Sequence, residues 1–151
     1  MALFMQIEDH VFVVTGASSG IGLATAKALA ERGGKAPLLA RSRDALEELA
    51  DRLPGSLPII ADMTDFASVR AAIARADRHY GSIDGLINNA GRSYATAVAD
   101  IKPELFDEIF HLNVLGPIVP MQTVIPGMRA RGKGSIVNVN SGTAFETRRS
   151  C

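Results

Sequence analysis

The sequence offers little material for disulfides, metal clusters or a strongly charged surface. Cys151 is the single cysteine, so an intramolecular disulfide is excluded, and we expect a reducing compartment such as the cytoplasm. Sixteen Lys and Arg balance sixteen Asp and Glu, which leaves no net charge to favour nucleic acid or an anionic membrane. The histidines, His10, His79 and His111, are too scattered along the chain to indicate a metal site. We therefore expect neither a metal nor a nucleic-acid partner.

Charged residues are also missing from one long segment. Ile109–Met128 contains no Asp, Glu, Lys or Arg and is nominally long enough to cross a bilayer. Its several prolines and glycines argue against a lone lipid-facing helix. We interpret it as a kinked helix packed on both sides and expect no membrane association. At the N-terminus, Met1–Gln6 is apolar but lacks the basic residues of a secretory signal.

The residues that are present suit one globular domain, since 47% of the 151 are apolar. Five short apolar segments alternate with helical patterns, which predicts a doubly wound parallel sheet of the α/β class. The predicted strands are His10–Thr15, Ala36–Ala40, Leu57–Ala61, Gly85–Asn88 and Ser135–Val139. The predicted helices are Ile21–Arg32, a helix from an N-cap at Ser42 to Leu53, Asp65–Tyr80, and a long helix that begins at Pro103.

Prolines predict two irregularities in this pattern. Pro37 lies inside the second strand and indicates weak pairing or an irregular strand start, because proline cannot donate to a β-ladder. Pro117 and Pro120 lie inside the last helix and should kink or divide it.

A glycine-rich turn joins the first strand to the first helix. Its sequence, Thr15-Gly-Ala-Ser-Ser-Gly-Ile-Gly22, has the spacing G-x-x-x-G-x-G. Gly16 permits a tight turn, Gly20 lets the backbone approach a pyrophosphate, and Gly22 allows close packing of helix on strand. The helix N-terminus adds free N–H donors and a positive dipole end. A plain Gly/Ser connection is the alternative, but the position after strand one of a βαβ series favours a phosphate site.

Four motifs stand in the order typical of one enzyme family. They are the glycine-rich turn, Asn88-Asn-Ala-Gly91, Asn113 within Phe110-His-Leu-Asn-Val-Leu-Gly116, and Ser141 at the end of Ile136-Val-Asn-Val-Asn-Ser141. With these motifs the chain resembles the first part of a short-chain dehydrogenase/reductase along nearly all its length. The resemblance implies a Rossmann-like sheet in strand order 3-2-1-4-5, with the family's C-terminal strands and helices missing. It also implies one incomplete NAD(P)-binding domain over residues 1–151, with an irregular tail at 142–151.

The resemblance assigns residues to a nicotinamide cofactor. In the glycine-rich turn these are Gly16, Ser18, Ser19, Gly20, Ile21 and Gly22. Where NAD-preferring members carry an acid at the end of strand two, this chain has Ala40, followed by Arg41 and Ser42. Arg41 can clamp a 2′-phosphate and Ser42 can donate to it, which implies NADP(H) more than NAD(H). The alternative is that both are solvated residues opening a helix.

Further along, the resemblance assigns Asp62 and Met63 to the adenine ring, and Asn89, Ala90 and Gly91 to the neighbourhood of the cofactor. For Asp62 there is a simpler alternative, in which Asp62 and Thr64 begin and cap the next helix.

The family's chemistry is hydride transfer between nicotinamide and a carbonyl or alcohol carbon, with a tetrad of Asn, Ser, Tyr and Lys. Asn113 resembles the tetrad Asn, and Ser141 resembles the Ser that orients the substrate oxygen. The family spacing puts the Tyr thirteen residues after Ser141 and the Lys four further, at positions 154 and 158. We therefore expect an early end of the reading frame and an inactive 151-residue chain. Tyr94 is a weak candidate for a replacement acid, because it lacks a partnering lysine: Lys102 and Lys133 fall in other segments.

Three functions remain open from the sequence. The first is an NADP(H)-dependent oxidoreductase with a small carbonyl or alcohol substrate. The second is a non-catalytic NADP-binding or hetero-oligomer subunit, and the third is a decayed gene fragment. The resemblance implies that Ile109–Met128 has lost the helix that normally covers it in the family. Together with the uncharged fifth strand, this segment therefore predicts self-association through exposed apolar surface.

Overall fold

The structure, a computed structural model, describes residues 6–141, so the predicted tail at 142–151 lies outside the described residues. Its centre is a five-stranded parallel sheet in the order β3-β2-β1-β4-β5, which confirms the predicted Rossmann-like topology. The strands are β1 Phe12–Thr15, β2 Ala36–Ala40, β3 Ser56–Ile60, β4 Gly85–Asn88 and β5 Ser135–Asn138. The helices are α1 Gly20–Ala30, α2 Arg43–Arg52, α3 Phe66–Tyr80, α4 Pro103–Phe110 and α5 Gly116–Arg131.

The core lies on both faces of this sheet. In β1, Val14 packs in an apolar cluster beneath α1 and α2, while its neighbour Val13 packs in a second cluster beneath α3 and α5. Successive side chains of a strand point to opposite faces, so a strand covered on both sides needs an unbroken apolar run. The sequence Phe12-Val-Val-Thr15 meets that need, and all four residues are buried.

Pro37 affects β2 on one side only. β2 pairs with β3 along its whole length, from Ala36 opposite Ser56 to Ala40 opposite Ile60, so the expectation of weak pairing is wrong there. On the β1 side the pairing covers only Val14 and Thr15, preceded by an isolated bridge from Val11 to Lys35. Lys35 N donates to His10 O toward β1 and Ala36 N donates to Gly55 O toward β3, so the missing N–H of Pro37 falls on the β1 side.

The long helix is divided just before Pro117, as predicted, whereas α5 continues through Pro120 without a break. Between α4 and α5, His111–Leu115 forms a π-helical segment, closed by a bond from Gly116 N to His111 O. Pro117 follows at once and has no N–H for the carbonyl of Asn113 four residues earlier, which favours the local rearrangement.

In the described part of the chain, Pro103–Arg131 is the one helical stretch whose length and apolar composition would allow it to cross a membrane. Length and composition alone are weak evidence for a membrane span.

The expectation that this segment packs on both sides is wrong. Val119, Val124 and Met128 are buried against α3 and the sheet. On the opposite face four large apolar side chains are exposed at four-residue intervals, and we call them the apolar stripe: Phe106, Phe110, Val114 and Ile118. No described element covers this face.

Candidate functional site

The glycine-rich turn has the backbone geometry its sequence predicts. Gly16 has a φ of +66°, and a Cβ there would lie 2.9 Å from the Ala90 Cα, so both conformation and space require glycine. Gly22 packs α1 against the turn, since a Cβ would collide with the Gly16 carbonyl oxygen. Gly20 has a φ of +54° but faces open space, with no heavy atom within 4 Å of a Cβ. The turn is therefore closely packed at Gly16 and Gly22, whereas its surface at Gly20 is open.

Helix α1 begins at this open surface without a side-chain cap. Ser19 is the N-cap residue, yet its side chain makes no capping hydrogen bond to the first turn. The first N–H groups of a helix have no partner within the helix, and together with the helix dipole they favour an anion. An uncapped N-terminus beside an open glycine fits a pyrophosphate, so the residues present suit a dinucleotide.

Thr15 fastens the turn to the end of β4. Its buried hydroxyl oxygen accepts hydrogen bonds from the N–H groups of Asn89 and Ala90, each at 3.0 Å, and donates to Ile87 O at 3.4 Å. The Asn89 side chain donates back to the carbonyls of Thr15 and Gly16, at 3.0 and 3.3 Å. These bonds hold the glycine-rich turn and residues 89–91 as one unit at the carboxyl edge of the sheet, where open α/β sheets bind ligands.

Two cavities lie along this edge. The larger, about 450 Å³, brings together predicted residues from four segments, and we call it the β5-side cavity. It is lined by Ile21, Asn89, Ala90, Gly91, Arg92, Ser93, Asn113, Val139, Asn140 and Ser141. The smaller, about 200 Å³, is the β2-side cavity. It is lined by Arg41, Asp62, Met63, Thr64, Ala90, Gly91, Arg92, Glu108 and Leu112.

In the β2-side cavity Asp62 forms a tight local turn. One of its carboxylate oxygens accepts from the backbone N–H and the hydroxyl of Thr64, at 2.9 and 2.7 Å. These bonds, aided by the nearby positive charge of Arg41, lower the pKa of Asp62 below its usual 3.8. Thr64 does not cap the next helix, which corrects the alternative interpretation. The N-cap of α3 is Asp65, which accepts from Ala67 N and Ser68 N.

Six predicted cofactor residues line neither of these two cavities: Gly16, Ser18, Ser19, Gly20, Gly22 and Ser42. Ser18 borders a separate cavity between α1 and α2, beside Leu23 and Lys27. Ser42 is the N-cap residue of α2, as expected, but its side chain makes no capping hydrogen bond. The Ser42 hydroxyl therefore does not cap the first turn of α2.

Asn113 lies at the middle of the π-helical segment, and its side chain binds the loop after β4. Its Oδ1 accepts from Arg92 N at 2.9 Å, and its Nδ2 donates to Arg92 O at 2.6 Å. Both backbone groups of Arg92 are thus held by one amide side chain. The predicted helix irregularity and the predicted site residue are the same feature, because the π segment directs Asn113 toward the cavity.

Sequence reasoning missed Arg92 and Glu108. The Arg92 guanidinium pairs with the Glu108 carboxylate at 2.6 Å and lies over the Tyr94 ring, 4.7 Å from its centroid. Arg92 directly follows the Asn88–Gly91 motif, which is a signal that could have singled it out. For Glu108 no sequence signal exists, since its partner is sixteen residues away in the chain.

Comparison with known proteins agrees with this geometry. The family model for short chain dehydrogenase matches residues 10–150. A Streptomyces violaceoruber protein named "Granaticin polyketide synthase putative ketoacyl reductase 2" is 41% identical over 138 residues, which cover 89% of this chain and 55% of that protein. A 7alpha-hydroxysteroid dehydrogenase of Bacteroides fragilis is 34% identical over 143 residues, covering 90% of this chain and 55% of its own.

A solved structure of a short-chain dehydrogenase from Streptomyces avermitilis superimposes with a TM-score of 0.84 at 35% identity, over 93% of this chain and 51% of that one. The chain therefore spans about half the length of the relatives it matches. Because the family match covers nearly the whole chain and the fold agrees, this chain belongs to the short-chain dehydrogenase family of oxidoreductases.

Proposed function

We propose that this chain is the cofactor-binding part of an NADP(H)-dependent oxidoreductase that acts on a small carbonyl or alcohol substrate. The observation that carries the choice of NADP(H) is the end of β2. Ala40 is buried there and offers no carboxylate, while Arg41 follows it and lines the β2-side cavity together with Asp62. A guanidinium with no acid beside it at the end of β2 suits a ribose 2′-phosphate.

In this proposal the two cavities take the two halves of the dinucleotide. Arg41 and Ser42 bind the 2′-phosphate, Asp62 and Met63 border the adenine, and the open surface at Gly20 takes the pyrophosphate. The nicotinamide supplies the hydride when it is bound. In the β5-side cavity Ser141 orients the substrate oxygen, and Asn113 holds the loop after β4 in place.

The 151 residues contain two members of the family's tetrad, and their only tyrosines are Tyr80 and Tyr94. Tyr80 is occupied in packing, because its hydroxyl donates to Gly55 O at 2.8 Å and burial raises its pKa to about 12. We propose that the chain binds NADP(H) without turnover, since a positioned acid or base contributes about 10²–10⁴ in rate. A non-catalytic NADP-binding or hetero-oligomer subunit is the alternative, and a decayed gene fragment is the third. We also propose a cytoplasmic location, which suits a chain with a single cysteine.

Titration of the chain with NADPH and NADH tests the cofactor assignment. We expect tighter binding of NADPH, and a loss of about tenfold in NADPH affinity for Arg41→Gln, the usual value of a charge-assisted hydrogen bond. NADH affinity should not change in that variant. Arg43→Gln is the matched control, because Arg43 lies two residues away but pairs with Glu47 on α2. Equal binding of both cofactors, or equal effects of the two variants, would contradict the assignment.

Turnover separates the three functions. NADPH binding with no reduction across a panel of carbonyl compounds supports the non-catalytic chain, whereas measurable reduction supports a competent enzyme. A chain that is unfolded by circular dichroism and binds no cofactor contradicts the first two functions and leaves the third.

We further propose that the chain self-associates through a second copy of itself. The apolar stripe follows the i, i+4 ridge of its helix, and the same ridge on a second copy is complementary to it in an isologous contact. The uncharged β5 adds Val137, which is 51% exposed. Sedimentation velocity should give a dimer or larger species, and Phe106→Glu with Phe110→Glu should shift it to monomer. A wild-type monomer at high concentration would rule out this contact.

A further inference from the structure

Arg92 is the point at which the two cavities meet. Three consecutive residues, Ala90, Gly91 and Arg92, line both the β2-side cavity and the β5-side cavity. Of these, Arg92 alone has a long side chain. Any ligand that fills both cavities has to pass residues 90–92, so the position of this segment sets the distance between the sites for the two halves of the ligand.

Arg92 is held from two directions by the helix that follows. Its backbone N–H and carbonyl are both bound by the Asn113 side chain in the π segment. Its guanidinium is paired with Glu108 in α4, at 2.6 Å. Glu108 lies in α4 and Asn113 in the π segment that directly follows it, so two adjoining helical segments hold the side chain and the backbone of Arg92.

The π segment has its own tie to the other end of the β2-side cavity. The His111 ring stacks on Phe66, with centroids 4.6 Å apart, and its Nε2 lies 3.2 Å from the carbonyl oxygen of Thr64. The segment therefore contacts the Asp62–Thr64 turn on one side and Arg92 on the other. The ion pair of Arg92 with Glu108 adds a second contact between these helical segments and the loop after β4.

We propose that the Arg92–Glu108 ion pair is a positioning device that sets the relative placement of the two cavities and thereby the affinity for a whole dinucleotide. The inference rests on the proposed binding of NADP(H) by this chain. Its consequence is specific: a variant without the pair loses more affinity for the whole dinucleotide than for 2′,5′-ADP, which reaches the β2-side cavity and the open surface at Gly20 but not the β5-side cavity. Linked fragments gain from one another only when their sites are held at the correct spacing.

Glu108→Gln tests the pair with little change of shape. Both side chains of the pair are partly exposed, at 40% and 49%, so we expect NADPH affinity to fall about two- to fivefold, the range of partly exposed ion pairs. The affinity for 2′,5′-ADP should fall by a smaller factor than the affinity for NADPH. Glu47→Gln is the matched control, since it removes an ion pair with Arg43 on α2 away from both cavities, and it should change neither affinity.

The charge-reversed double variant, Arg92→Glu with Glu108→Arg, distinguishes positioning from direct contact. Restored NADPH affinity in the double variant supports the positioning device. No restoration would mean that the Arg92 guanidinium binds the cofactor itself and would overturn the proposal. Equal losses for NADPH and 2′,5′-ADP would also overturn it. A wild-type chain that binds neither dinucleotide would overturn both proposals, whereas wild-type binding with unchanged variants overturns this one alone.

Discussion

Replacing Thr15 with valine tests how the glycine-rich turn is held in place. Valine keeps the shape of the side chain but removes the hydroxyl, which accepts from two backbone N–H groups and donates to one carbonyl. Thr15 is 1% exposed, so water cannot easily replace the lost oxygen. An unsatisfied buried donor costs about 1–3 kcal/mol. Since Asn89 and Ala90 are only partly buried, we take the lower end for each and expect a loss of about 2–3 kcal/mol in the free energy of unfolding.

Urea unfolding followed by circular dichroism measures this loss. Thr123→Val is the matched control, because the Thr123 hydroxyl makes a single bond, to Val119 O one helical turn earlier. That change should cost less than about 1 kcal/mol, the net value of one ordinary hydrogen bond. Thr15→Ser keeps the hydroxyl and should recover most of the stability. The reasoning is refuted if Thr15→Val and Thr123→Val destabilise the chain equally.

Three other predictions concern single positions. Gly20→Ala should cost about 1–2 kcal/mol in the free energy of unfolding, because Gly20 has a positive φ. The same substitution should abolish NADPH binding, because the alanine Cβ would occupy the open surface. Urea unfolding measures the first effect and NADPH titration the second. Gly85→Ala should destabilise the sheet by about 1–3 kcal/mol, because the alanine Cβ would collide with the Phe12 ring. It should have no direct effect on the cavities. A urea midpoint equal to that of wild type would contradict this prediction. In an ultraviolet titration one of the two tyrosines, Tyr80, should ionise near pH 12, because burial raises its pKa in the folded chain. The stability that comes from the neutral phenol is present below about pH 10, the pKa of a free tyrosine. It is lost as the pH rises through about 12.

The sequence by itself determined the strand order, the glycine-rich turn and the family. The unbroken apolar run of β1 can be satisfied only by cover on both faces of a sheet. Gly16 is required by a local backbone angle, which a sequence motif can report directly. Pro117 likewise forced an irregularity at a definite place in the helix, since a proline acts on the carbonyl four residues before it.

Only the tertiary structure decided the contacts between distant segments. The Arg92–Glu108 pair joins a loop to a helix across sixteen residues, and Thr15 meets Asn89 across seventy-four. Which face of Ile109–Met128 is left exposed was also decided by the tertiary structure, because an uncharged segment has the same composition whichever face is covered. Periodicity and motifs report what each residue requires locally, whereas the distance between two side chains depends on how separate elements pack.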